Sequence, residues 1–125
     1  FNGETGPYIQ YMTVRTNSVL EKAGYIPDSS KLDLSKITDE SSIKLLKLIE
    51  SFENILLDAM NKNEPSIISR YLIDVAQEFS TFYNSNKILC DNKDEQDARL
   101  YVTYMTKIVL TNGLGLLGIE VPEKM

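Results

Sequence analysis

An all-α fold, an antiparallel bundle of about four to five helices, is what this 125-residue sequence predicts. Three observations point there. Four segments carry apolar residues at three- and four-residue steps, the period of a buried helix face. No run alternates with the two-residue period of a half-buried strand. Glycine and proline stand at the borders of those segments, where helices begin and stop. The length suits one domain with a real core, here residues 1–125, and helices with one apolar face pack most economically as a bundle.

The first segment follows Pro7, which lacks a backbone N–H and suits a first helical turn. A glycine-flanked turn over residues 3–6 leads into it. It runs to about Lys22 and closes at Gly24, a good residue just past a helix end. Residues 24–40 then form a connection long for a compact domain, with Leu32, Leu34 and Ile37 expected to pin it down. The second segment, residues 41–62, is read as one helix whose apolar face holds Leu45, Leu46, Ile49, Phe52, Leu56, Ala59 and Met60. Asn63-Glu64-Pro65 opens the third, as a cap followed by an early proline, and this helix reaches Tyr83. The fourth starts near Asp94 with an acidic first turn, favourable against the helix dipole, and stops at Asn112-Gly113. Residues 114–119 are too apolar to hang free and are expected to pack on the bundle.

Composition removes several functions. The chain contains no histidine, which excludes Ser-His-Asp and Cys-His catalysis and histidine metal sites within it. It has no G-x-x-x-x-G-K phosphate loop. No apolar run approaches the roughly 18 residues of a membrane span, and no basic stretch precedes an apolar one as in a signal peptide. The lone Cys90 cannot form an internal disulfide, which fits a reducing, cytoplasmic setting, and it is expected to pack under the 84–93 connection. A net charge of −5 argues against strong nonspecific affinity for polyanions but leaves room for a small base-reading patch. Asp91-Asn92-Lys93-Asp94-Glu95 lacks the glycine and spaced glutamate of a calcium loop and reads as a solvated helix start. Glu50 and Glu53 read as surface.

One stripe stands out. Tyr8, Tyr11 and Arg15 are three and four apart on the first helix and share a face. Aromatic stripes usually mean packing, so on these residues alone core tyrosines beside a surface arginine are the commoner meaning. Stacked phenols beside a guanidinium are also what a protein needs to hold unpaired RNA bases.

The stretch Gly3-Glu4-Thr5-Gly6-Pro7-Tyr8-Ile9-Gln10-Tyr11-Met12-Thr13-Val14-Arg15 closely resembles the G-x-T-G-P-Y-x-Q-Y-x-x-x-R segment of arginyl-tRNA synthetases, where it opens the C-terminal DALR-type anticodon-binding domain. The resemblance continues through Phe79-x-x-Phe82-Tyr83-Asn84, through Asp97-Ala98-Arg99-Leu100 (the last two letters inverted against D-A-L-R), and through a Gly113-Leu114-x-Leu116-Leu117-Gly118-Ile119-x-x-Pro122-Glu123-x-Met125 ending. It implies a fragment that recognises the anticodon loop of arginine tRNAs and carries out no chemistry itself. Tyr8, Tyr11 and Arg15 would form one wall of the anticodon pocket, and Tyr83 and Met125 the opposite one. Arg99 is expected to orient the fold by pairing with a carboxylate. The implied catalytic domain, with its ATP and magnesium, lies elsewhere, and no cofactor is expected here. The expected partners are tRNA and that catalytic domain, with no membrane and a monomeric state. The rivals are a helical protein-interaction or structural module, and the equivalent domain of another class I synthetase.

Overall fold

The computed structural model describes residues 5–125. Among these the chain is all-α: α1 (Thr5–Ala23), α2 (Glu40–Glu50), α3 (Phe52–Lys62), α4 (Ser66–Ser85) and α5 (Lys93–Leu116), with single 3-10 turns at Ser29–Lys31 and Leu34–Lys36. The turn expected before Pro7 falls partly on residues 1–4 and to that extent lies outside the described residues.

The fold is organised around α4, which packs against all four other α-helices. Its apolar positions therefore go deep: Leu72, Val75, Ala76, Phe79 and Phe82 are fully buried. Hydrogen bonds at both ends fix helix directions. Asn86, which caps the C-terminal end of α4, donates to the side chain of Asp39 at the start of α2, while Tyr71 near the start of α4 donates to the Leu48 carbonyl near the end of α2. The two helices are thus antiparallel. Likewise Tyr25, just past α1, donates to Asp97 near the start of α5 at 2.5 Å, and Gln10 near the start of α1 donates to the Glu120 carbonyl beyond α5 at 2.8 Å. So α1 and α5 are antiparallel too.

Local chemistry explains the boundaries. Gly24 takes a φ of +80° and donates to the Leu20 carbonyl, ending α1 in a left-handed turn. The segment over residues 41–62 is two helices, not one, and breaks at Ser51. The Ser51 hydroxyl and N–H both return to the Leu48 carbonyl, which also accepts from Tyr71, so that carbonyl tightens the turn instead of continuing an α-helical ladder. Phe52 then stacks on Tyr71, with centroids 5.8 Å apart. Burial pushes the Tyr71 hydroxyl up to about 12 against a smaller opposing effect of the Ser51 hydrogen bond, so it remains a donor. Asn63 closes α3 in the left-handed conformation and does not cap α4, which starts from Pro65 without a side-chain cap.

The long connection is held differently from expectation. Ile37 packs on the core and Leu32 is half-buried, but Leu34 is exposed. Tyr25 adds a polar anchor that the apolar pattern does not show, because its hydroxyl bonds both Asp97 and Gln96 and its ring lies under the Lys93 ammonium at 5.1 Å. Arg99 orients the next connection by donating to the Lys87 carbonyl at 2.8 Å and to the Cys90 sulfur, not to a carboxylate. Cys90 itself is half-buried there, its N–H bonded to Gln96. Asn92 caps α5 through the Glu95 N–H, so the acidic run 91–95 is a helix start.

At the far end, α5 runs through Asn112-Gly113 and on to Leu116. Gly113 lies within the helix at a point where α4 leaves no space for a side chain: a Cβ there would stand 2.5 Å from a methyl of Leu72, itself fully buried. The helix ends instead at Gly118, with φ +77° and paired bonds from Gly118 to the Gly115 carbonyl and from Ile119 to the Leu114 carbonyl.

Two predictions follow from these contacts. Gly113→Ala should lower the unfolding free energy by about 1–2 kcal/mol through overpacking, despite the better helix former. Gly115→Ala, with nothing within 4 Å of the added carbon, should raise it by about 0.5–1 kcal/mol, both read by urea unfolding. The second concerns Asp39, which caps α2 through the Ser42 N–H. Burial pushes its carboxyl up, but hydrogen bonds from Ser41, Ser42 and Asn86 outweigh this and hold it at about 2, below its ordinary 3.8. A depressed carboxyl stabilises fully above the unfolded value and loses that contribution as pH falls through the folded one. Asp39→Ala should therefore cost about 1–2 kcal/mol at neutral pH, with the gap to wild type closing as pH is lowered toward 2 in circular-dichroism melts.

Candidate nucleic-acid interface

The stripe on α1 meets the end of α4. An ideal helix turns about 100° per residue, so Arg15, Ser18 and Lys22 lie within about 40° of Tyr11 around the axis. Tyr8 is rotated by about 60°, toward Met12 and Val19. The structure follows this arithmetic: Met12 and Val19 are buried, Tyr8 is half-buried against the core, and Tyr11 is exposed. From α4, Phe79 and Phe82 enter the core, while Tyr83, one step round, emerges beside α1. Its ring still leans on Phe79, with centroids 6.2 Å apart.

Arg15 joins the two tyrosines. Its guanidinium carbon sits 4.6 Å from the Tyr83 ring centroid and 5.0 Å from that of Tyr11, and Nη2 donates to the Tyr11 hydroxyl at 2.6 Å. A cation over an aromatic face is held electrostatically, and each such contact is worth about 0.5–1 kcal/mol where exposed. Tyr11 and Tyr83 nevertheless remain 45% and 36% exposed, which shows that these rings are not core.

Together Tyr11, Arg15, Lys22, Tyr83 and Met125 line a hollow of about 310 Å³ with Val14, Ser18 and Val19. Lys22, Val19 and Tyr83 also border a neighbouring hollow of about 280 Å³ that Lys87 and Asn86 help to line. Among the described residues neither hollow is lined by Asp or Glu. In a chain of net charge −5, this pair of hollows is locally cationic.

Met125 arrives there because the tail is guided. Past Gly118, Ile119 and Val121 pack on the core, and the Glu120 carbonyl accepts from Gln10 on α1. The structure thus gathers Tyr11, Arg15, Tyr83 and Met125 and leaves Tyr8 outside the hollow. Sequence reasoning missed Lys22, although the 11, 15, 18, 22 period carried it, and it missed Lys87 and Gln10. The tail contact of Gln10 spans 110 residues and has no local signature.

The described residues thus form a helical domain with an aromatic and cationic hollow between its first and fourth helices, and the chain belongs to the DALR anticodon binding domain family, which it matches over residues 9–125. Within that family its relatives are arginyl-tRNA synthetases. It is 46% identical over 126 residues to the arginine–tRNA ligase of Halothermothrix orenii, covering all of this chain and 22% of that protein. It is also 46% identical over 125 residues to that of Clostridioides difficile, with the same coverage. The arginyl-tRNA synthetase of Thermus thermophilus superimposes with a TM-score of 0.83 at 31% identity, over all of this chain and 22% of that one. The chain therefore spans about a fifth of the length of the relatives it matches, and it corresponds to their anticodon-binding part.

The tail latch is directly testable. Gln10→Ala should increase amide exchange over residues 119–125 several-fold while leaving α4 protected, because a single hydrogen bond worth about 1 kcal/mol is lost.

Proposed function

We propose that this domain binds the anticodon loop of arginine-accepting tRNAs as the recognition part of a cytoplasmic, monomeric arginine–tRNA ligase. The observation that carries this reading is Arg15 held between the exposed rings of Tyr11 and Tyr83 in a hollow lined by Met125 and free of Asp and Glu among the described residues. Unpaired bases present π-faces that stack on tyrosine, at about 1–3 kcal/mol per base. Arg15 offers a planar fork to a base edge or a phosphate, and Lys22 and Lys87 stand where the backbone of a splayed loop would run. The terminal thioether of Met125 is soft enough to pack on a base.

In this reading the ligation of arginine to tRNA, with ATP and magnesium, takes place in a catalytic domain outside the chain, and this domain needs no cofactor. No helix among the described residues is long and apolar enough to cross a membrane. The exposure of both tyrosines favours this reading over a structural module with an aromatic core.

Titration with a fluorescent anticodon stem-loop tests it. Tyr11→Ala and Tyr83→Ala should each weaken binding by about tenfold with helicity unchanged. Lys22→Ala should weaken all sequences alike and lower the salt slope by about 1. Equal binding of loops with an arginine anticodon and a foreign one by the full-length ligase would sink the proposal.

A further inference from the structure

A further hollow, unlike the cationic pair, lies at the other end of α4. It measures about 270 Å³ and is lined by Leu56 and Met60 of α3, Pro65 and Ile68 at the start of α4, and Leu116 and Leu117 at the end of α5. Around it the surface is apolar: Met60 is 74% exposed, and Leu116 and Leu57 are also exposed. Met60 is expected on the buried face of one continuous helix, but α3 begins anew after Ser51 and buries Ala59 while Met60 lies outside. Contiguous large apolar side chains on a surface mark a place that another surface covers.

We propose that this corner is the seat for the catalytic body of the ligase, filled by an apolar segment of that body. The inference rests on the reading of the chain as part of a longer ligase. Three observations select this occupant. Most of the length of the relatives lies outside the matched fifth, so a large body must abut the domain somewhere. The corner is also at the right end of the bundle. Glu120, three residues past Leu117, is bonded to Gln10 in the second turn of α1, so the hollow lies at the end of the bundle where α1 begins. The relatives match this chain with their C-terminal part, which puts the rest of their length on that side. Finally, its lining holds Glu64 and, among the described residues, no Lys or Arg, which disfavours a nucleic-acid backbone. Ile68 and Tyr83 are separated by about 22 Å along α4, so body and RNA could be bound at once.

Methionine footprinting of the full-length ligase with dilute peroxide tests this, since oxidation follows exposure. Met60 and Met125 are comparably open in the domain, at 74% and 62%, and Met12 is buried. In the full-length protein without tRNA, Met60 should oxidise about tenfold more slowly than Met125. Leu116→Lys should raise Met60 to the rate of Met125 while Met12 stays protected. Met60 oxidising as fast as Met125 in the wild type would overturn the proposal, and so would protection that survives Leu116→Lys. Protection lost on dilution would assign the corner to a second copy and overturn it equally. Added tRNA should slow Met125 alone, so the anticodon reading and this one stand or fall on different methionines.

Discussion

The contact between α5 and α4 at Gly113 and Leu72 governs much of what the rest of the molecule can do. With no Cβ at Gly113, α5 lies directly on the buried side chain of Leu72. From that contact α5 runs on to Leu116, and the left-handed turn at Gly118 then sets the direction in which the chain leaves. From there the tail has one well-defined path, with Ile119 and Val121 on the core and Glu120 bonded to Gln10. Met125 reaches the hollow at Arg15 and Tyr83 only because each of these steps is fixed. A packing constraint deep in the bundle is thereby expressed at its surface, far along the chain.

Arg15 turns that arrangement into a defined chemical surface. Its side chain has many rotamers, and ordering it in water would cost entropy. Two aromatic faces and one phenol hydroxyl restrict it at little further expense, since Tyr11 is on its own helix and Tyr83 is braced by Phe79. A pre-ordered guanidinium loses less on meeting a ligand than a free one does. The negative net charge works in the same direction, since it weakens indiscriminate polyanion binding and leaves local geometry to decide what is held.

Much of this was legible in the sequence where a local rule operates. Apolar periodicity located the helices, Gly24 ended α1, and Asn92 with its acidic neighbours began α5. The rest depends on contacts between distant residues. Ser51 breaks the second segment because Tyr71, on another helix, takes the Leu48 carbonyl. Gly113 resembles a stop signal, yet it is a spacer required by Leu72. Asn63 was read as the cap of the helix that follows and instead closes the one before, which a left-handed residue at a helix end does equally well. At the hollow, Tyr11 and Arg15 were visible by spacing and Tyr83 and Met125 by resemblance to a family. Tyr8 shares the spacing but is rotated toward the core, a difference that an i, i+3 rule does not resolve and the helical angle does.

The hollows at its two ends give the central helix a mechanical meaning. α4 is enclosed by four helices and buries side chains from Ile68 to Phe82, so it has no soft segment along its length. A rod held in this way keeps its ends at constant separation, because bending it would open the core around Val75, Ala76 and Phe79. One end carries the aromatic and cationic surface, and the other carries the apolar corner. In the proposed reading, a loop base stacked on Tyr83 would stand at a set distance from a body seated on Met60 and Leu116. Contact at either end alone would need only a patch. A fixed relation between the two needs a buried helix, and that is the arrangement the core of this domain provides.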